Sequence, residues 1–234
     1  MQKIKKGNDG FSLFELIIAM TLTIVVMGIA SVLLAQALNI RTRTNANLDA
    51  LADVQRALNI MSREIGNAGF DVTGNGIVDG DTGTDSNGNS MIRLRSNANE
   101  FDENVSSTAR TGIGVVGEDA GEDIKYFIYK TSNTNLLARY DQYAAVGGNS
   151  TVLANRLDSL HIHYYAEKVS YSATGCDVTA PSTEVTPSAA RYLVIAVCVH
   201  LDQVGAPGTS GYQPEKNVLL ASDVALRNSN LPDY

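Results

Sequence analysis

Glu15 is a lone carboxylate at the head of an apolar run, Leu16 to Leu38, that contains Thr21, Thr23, Ser31 and Gln36 but no charged side chain. The run reaches the roughly 20 residues that cross a hydrocarbon core as a helix. A charge in such a helix costs on the order of 2.5 to 3.5 kcal/mol at the bilayer centre, less near the interface, and marks a partner of opposite sign. Gly10 and Phe11 can supply that partner. Hydrolysis of the peptide bond after Gly10 would give Phe11 a free α-amine, four residues before Glu15 and on the same helical face. The resulting cation would serve the Glu15 of its own chain or of a neighbour.

Three further sets of residues have types and spacing that could do chemistry. Cys176 and Cys198 are the only cysteines. They lack a Cys-x-x-Cys spacing, which gives a metal little support against a disulfide in an oxidising compartment. Closing that loop would stabilise the fold by about 3 kcal/mol on the chain-entropy model. Asp71, Thr73, Asn75 and Asp79 place oxygens at the first, third, fifth and ninth positions of a segment with Gly76 at the sixth, the phasing of a calcium loop. Thr82 stands where a bidentate Glu belongs, so calcium would need an irregular set that draws on Asp81, Asp85, Asn87 and Asn89; Asp, Asn and Gly also build ordinary turns. His161 and His163 alternate on one strand face and could meet His200 across a sheet as zinc ligands, although a hydrogen-bonded histidine is far more common. There is no nucleophile elbow, HExxH motif or phosphate loop, and the chain reads as something other than an enzyme.

The elements that position these residues divide the chain into four parts. Residues 1–10 are a short polar leader, 11–38 a membrane-spanning helix, 39–69 the amphipathic continuation of that helix, and 70–234 a β-rich domain. Lys3, Lys5 and Lys6 before the span favour a cytoplasmic N-terminus, while Arg41 and Arg43 after it weaken the bias. A secretory signal carries its apolar region before the cut. Here the apolar region follows Gly10 and would stay with the mature chain.

Leu48, Leu51, Leu58, Met61 and Ile65 mark one apolar face of the continuing helix, with Gly66 and Gly69 as its stop. From Phe11 to Ile65 such a helix would be about 80 Å long. Ile124 to Tyr129, Leu160 to Tyr165 and Tyr192 to His200 read as strands, and Val218 to Leu226 as strand or helix. The nearly unbroken apolar run Leu193 to Val199 reads as a central strand covered on both faces. The fold class is α+β, a long N-terminal stem helix with a hydrophobic first half, packed on a C-terminal antiparallel sheet domain. The net charge of −7, with no basic cluster beyond the leader, argues against a nucleic-acid partner. Hydrophobic residues make up 44% of the chain, enough for a packed core rather than a disordered tail.

The N-terminal pattern resembles the type III signal of type IV pilins and pseudopilins, with Gly10 before the cut, Phe11 at the new N-terminus and Glu15 at the fifth mature position. That resemblance implies a prepilin peptidase, an aspartic protease of the inner membrane, which cuts between Gly10 and Phe11 and N-methylates Phe11. Arg63-Glu64-Ile65-Gly66-Asn67-Ala68-Gly69-Phe70 is similar to the Arg-Glu-Ile-Arg-x-Ala-Gly-Tyr stretch of PilW-like minor pilins and, more loosely, to pseudopilin J of type II secretion. Glu122 to Tyr126, Leu157 to Tyr165 and Arg191 to Val197 keep the same order. In isolation, Arg63 and Glu64 read as a solvated helix terminus.

The resemblance implies a minor pilin that primes pilus assembly and sits at or near the filament tip. Its partners would be the prepilin peptidase, other minor pilins, the major pilin, the inner-membrane assembly platform and the membrane itself. It would be a single-pass inner-membrane protein with a periplasmic domain before assembly, and part of a surface pilus afterwards. The helix-loosening Gly and Pro usual at the fourteenth and twenty-second mature positions are Ile24 and Val32 here, which points away from a major subunit. The alternatives are pseudopilin J of a type II secretion system and, in another class, a membrane-anchored calcium-dependent adhesin. No cofactor other than calcium is expected.

Overall fold

The Ser12-Leu13-Phe14-Glu15 sequence starts a helix by reciprocal capping. Ser12 Oγ accepts the Phe14 N–H at 3.3 Å, and Glu15 Oε2 accepts the Ser12 N–H at 3.0 Å. The helix that follows, α1 (Leu13–Asn67), is 55 residues long. These features come from a computed structural model that describes residues 12–70, 72, 74–97, 120–132, 134–145, 147–208 and 212–228.

The chain forms two compact units, one of residues 1–45 with 204–213 and the other of residues 46–203 with 214–234. In the first, the apolar side chains of α1 from Leu13 to Leu38 are exposed, and the helix is long and apolar enough to span a membrane. Its hydroxyls are already satisfied. Thr21 donates to the Ile17 and Ile18 carbonyls at 3.0 and 2.9 Å, and Ser31 to Met27 at 2.8 Å. Turning a hydroxyl back on its own helix leaves no unmet donor for lipid to accommodate.

In the second unit α1 buries Ala50, Val54, Ala57, Leu58, Met61 and Ile65. This seam differs from the expected stripe, because Leu48 is exposed and Leu51 only half-buried. Alanines at 50 and 57 bring the helix backbone close to the sheets, and a search for large apolar residues passes over them. The helix ends at Asn67, and Gly69 takes a left-handed φ of +79°, a conformation that favours glycine.

A five-stranded antiparallel meander follows, β1 (Gly83–Thr84), β2 (Ser90–Arg95), β3 (Asp123–Lys130), β4 (Asn135–Asp141) and β5 (Ser150–Ala154), in sequence order. Then come β6 (Leu157–Tyr165), the small hairpin β7 (Ser172–Thr174) and β8 (Asp177–Thr179), β9 (Tyr192–Leu201) and β10 (Lys216–Ala225). A second antiparallel sheet has the order β10-β9-β6, so the segment from Val218 is a strand. β9 is central and covered on both faces. Leu193, Ile195, Val197 and Val199 join the core that contains the α1 seam, while Tyr192, Val194 and Ala196 join a second cluster with Tyr165, Val169 and Val178.

Two polar networks fix the first sheet. Asp123, 1% exposed, receives Arg93 Nε and Nη2 at 2.6 and 2.7 Å and Arg95 Nε at 3.1 Å. Glu64 is no solvated terminus. Tyr126 Oη donates to its carboxylate, and Arg139 Nε lies 3.1 Å from Oε2 and 3.2 Å from Oε1, so the stem helix is tied to β3 and β4. Burial, reinforced by the Glu64 charge, pushes the Tyr126 hydroxyl far above its ordinary pKa and keeps it a donor.

Candidate functional site

Glu15 lies in the first turn of α1, and its carboxylate makes the capping bond to Ser12 described above. One oxygen therefore has a local role, visible in the sequence as Ser-x-x-Glu, beyond the expected pairing with an amine. Gly10 and Phe11, the two sides of the expected cut, lie outside the described residues.

Cys176 and Cys198 form a disulfide, with Cα atoms 5.2 Å apart and a sequence separation of 22. It joins the turn of the β7–β8 hairpin to the central strand β9. Asp158 lies close enough to both sulfurs to make a group with metal-ligand spacing, but those sulfurs are bonded to each other.

The described members of the expected calcium set serve other partners. Asn75 is buried; its Nδ2 donates to the Pro187 and Ala190 carbonyls at 2.7 and 2.9 Å, and its Oδ1 accepts the Ile77 N–H at 3.0 Å. Asp79 Oδ1 accepts the Ser188 N–H at 3.0 Å. Asp81 sits between Arg93 and Lys125, whose hydrogen bonds hold its carboxyl below the usual carboxylate range. Two cations against Asp81 oppose a third cation there, and the Asn75 side-chain oxygen is engaged by the Ile77 N–H. Asp71 and Thr73 lie outside the described residues. Among the described residues, Asn75 and Asp79 form a clip between residues 75–79 and the 187–190 turn. Asp85 likewise closes a turn, its Oδ1 accepting the Asn87 and Asn89 N–H groups at 2.8 and 2.9 Å.

The three histidines do not converge. His161 and His163 lie opposite Ala196 and Val194, on the face of the second sheet that carries the β7–β8 hairpin. His200 is four residues beyond Ala196 on β9, about 13 Å along the strand, and its Nδ1 lies 3.1 Å from Asn217 Oδ1. A different cluster forms instead. His163 Nε2 lies 2.7 Å from Asp177 Oδ1 and its Nδ1 2.8 Å from Glu184 Oε1, while His161 Nδ1 lies 3.8 Å from Asp177 Oδ2. No sequence signal points to Asp177 and Glu184, because folding of the hairpin brings the first over β6 and docking of the segment after β8, where Val185 N–H donates to Tyr164 O, brings the second.

Burial of His163 works against its charged form, but hydrogen bonds that the ring donates to Asp177 and Glu184 outweigh that and raise its pKa. A raised folded-state pKa gives a stabilisation that is complete below the unfolded value, about 6.5, and is lost as pH rises through the folded value. Chemical denaturation of the parent and of His163→Gln, in chelator-treated buffer, should show a stability difference that shrinks from about pH 6 to about pH 8. A difference that grows over this interval would contradict the charged clamp. His161, Asp177, Glu184 and the neighbouring Tyr165 are the titratable groups around the ring.

Comparison of the chain with protein-family models, curated proteins and solved structures returns no match in any of the three.

Proposed function

We propose that the chain is a minor type IV pilin, PilW-like, which primes pilus assembly and sits at or near the filament tip. One observation carries this reading: a helix whose apolar first half is exposed starts at a Ser12–Glu15 capping box directly after Gly10-Phe11, and its second half belongs to an antiparallel β domain. An exposed apolar helix needs lipid or other such helices around it. A filament of parallel subunits offers the second environment after the membrane offers the first. In this reading the chain is the substrate of a prepilin peptidase at Gly10 and Phe11, and its later work is packing.

Glu15→Gln tests the assembly role. The substitution removes the charge but keeps size and helix propensity, so insertion and cleavage should proceed while recruitment to other minor pilins falls several-fold. Co-purification of tagged protein with its partners measures this. Unchanged recruitment and piliation would show Glu15 to be dispensable, whereas loss of cleavage would assign it to peptidase recognition. Deleting pilus genes or type II secretion genes separately, and asking which loss strands the processed protein in the inner membrane, separates this reading from pseudopilin J.

A further inference from the structure

A carboxylate stands beside the disulfide. The β6–β9 pairing shifts register between Leu157 and Ser159, which pair with Val199 and Cys198, so Asp158 is the extra residue of a bulge, a device that re-aims a side chain. Asp158 Oδ2 lies 3.6 Å from Cys176 Sγ, and a carboxylate oxygen of Asp158 and the two sulfurs all lie within 4.8 Å of one another. A disulfide sulfur carries no proton, so the carboxylate gains no hydrogen bond from it. Asp158 is held from the other side: Asn217 Nδ2 donates to its Oδ2 at 2.9 Å, and Asn217 Oδ1 lies 3.1 Å from His200 Nδ1. Cys198 is fully buried and Cys176 half-buried, so an incoming thiolate meets the Cys176 sulfur first, at the carboxylate.

We propose that Asp158 guards this disulfide, slowing its exchange with small thiols by charge. In the first displacement the attacking thiolate bonds to Cys176 Sγ as the bond to Cys198 breaks, and the electron pair leaves on Cys198 Sγ. A second thiolate of the reductant then displaces Cys176 from the mixed disulfide. Two electrons have passed from two thiols, now joined as their own disulfide, to the pair, and both cysteine thiolates take protons from solvent. The transition state of the first displacement spreads one negative charge over three sulfurs in line. Asp158 lies beside two of them and repels that charge whichever thiol attacks, and it repels an anionic reductant in addition. At about 4 Å a unit charge changes such a rate about 5-fold even in bulk water, and more where the path is buried. Asn217 and His200 are positioning residues that keep the carboxylate at the sulfur. The guard is independent of the pilin reading.

The test uses the oxidised full chain purified in detergent, at fixed pH and ionic strength, with 2-mercaptoethanol, cysteamine and 2-mercaptoethanesulfonate as neutral, cationic and anionic reductants at equal thiolate concentration. Alkylation traps the freed thiols, and intact mass counts them. Asp158→Asn removes the charge, keeps the shape and can still accept from Asn217. It should speed reduction by 2-mercaptoethanol about 5-fold, by the anionic thiol more and by the cationic thiol less. In the parent, added salt should narrow the spread between the three thiols. Melting of the oxidised variant checks that it is folded. Unchanged rates in Asp158→Asn, an equal gain for all three thiols, or a parent rate that does not rise with reductant concentration would overturn the guard, the last two by assigning control of reduction to opening of the fold.

Discussion

Gly10→Val should leave the protein at full length, unmethylated and confined to the inner membrane. A peptidase that cuts after residue 10 must hold the extended backbone on both sides of the bond. A β-branched side chain adds bulk where glycine has none and restricts the backbone that must enter the site. In the proposed function processing comes first, because the cut would free the Phe11 amine, which would be the cation closest in sequence to Glu15. Intact mass of the membrane-extracted protein reads the result directly. Complete loss of the mature form is expected; mature protein starting at Phe11 in normal yield would end the assignment of this chain as a prepilin peptidase substrate.

The largest stability effect is expected at Gly76. Both Gly74 and Gly76 have left-handed φ values, +87° and +75°. Their surroundings differ. A Cβ on Gly74 would meet nothing within 4 Å, whereas one on Gly76 would lie 2.1 Å from Gly69 N and 2.4 Å from Arg95 O. Those neighbours are backbone and are hydrogen-bonded in place, Gly69 N–H to Arg95 O at 2.9 Å and Arg95 N–H to Gly76 O at 2.7 Å. Gly74→Ala should therefore cost about 1 kcal/mol, the conformational penalty alone. Gly76→Ala should cost about 3 kcal/mol or more, or prevent folding, since the strand end and the helix exit must separate. Denaturant midpoints of the two variants give the comparison. Equal costs would show that the close backbone approach is absent. The calcium phasing gave Gly76 a turn within a ligand loop; the structure gives it the junction of α1 and β2.

The parts of the fold that a one-dimensional reading captures are those whose signal is local. The run from Leu193 to Val199 is apolar at every position because β9 has a core on each side, and that pattern is legible without knowing what lies there. β2 and β4 were not legible. In Ser90–Arg95 the alternate residues Arg93 and Arg95 look like a solvated surface, yet they converge on Asp123, which is about 30 positions away in sequence. Arg139 interrupts β4 in the same way, and its partner Glu64 is 75 positions away. Ion pairs between distant segments turn charged residues into interior ones, and no periodicity announces them. The candidate sites follow the same rule. Asn75 has the right oxygen at the right place for a cation, but its partners are carbonyls more than 110 residues later. The spacing of the histidines points to His200 as their third member, whereas the structure sets Asp177 of the hairpin and Glu184 of the segment beyond it against His163.

The double-sided burial of β9 also removes an ordinary safeguard. When one face of a strand meets water, a slip of one residue exposes its apolar set and is rejected by polarity. A slipped β9 would exchange one buried apolar series for another, so polarity gives little discrimination and only side-chain size tells the registers apart. Cys198 adds a chemical criterion. It belongs to the series facing the β7–β8 hairpin, opposite Ser159 and Leu219, where Cys176 waits. A one-residue slip would turn its sulfur toward the stem helix and out of reach. Oxidation thus records the alignment of the central strand: a chain that has closed this bond has its central strand in native alignment, and a chain still carrying free thiols declares itself unfinished to any thiol-reading quality control it meets.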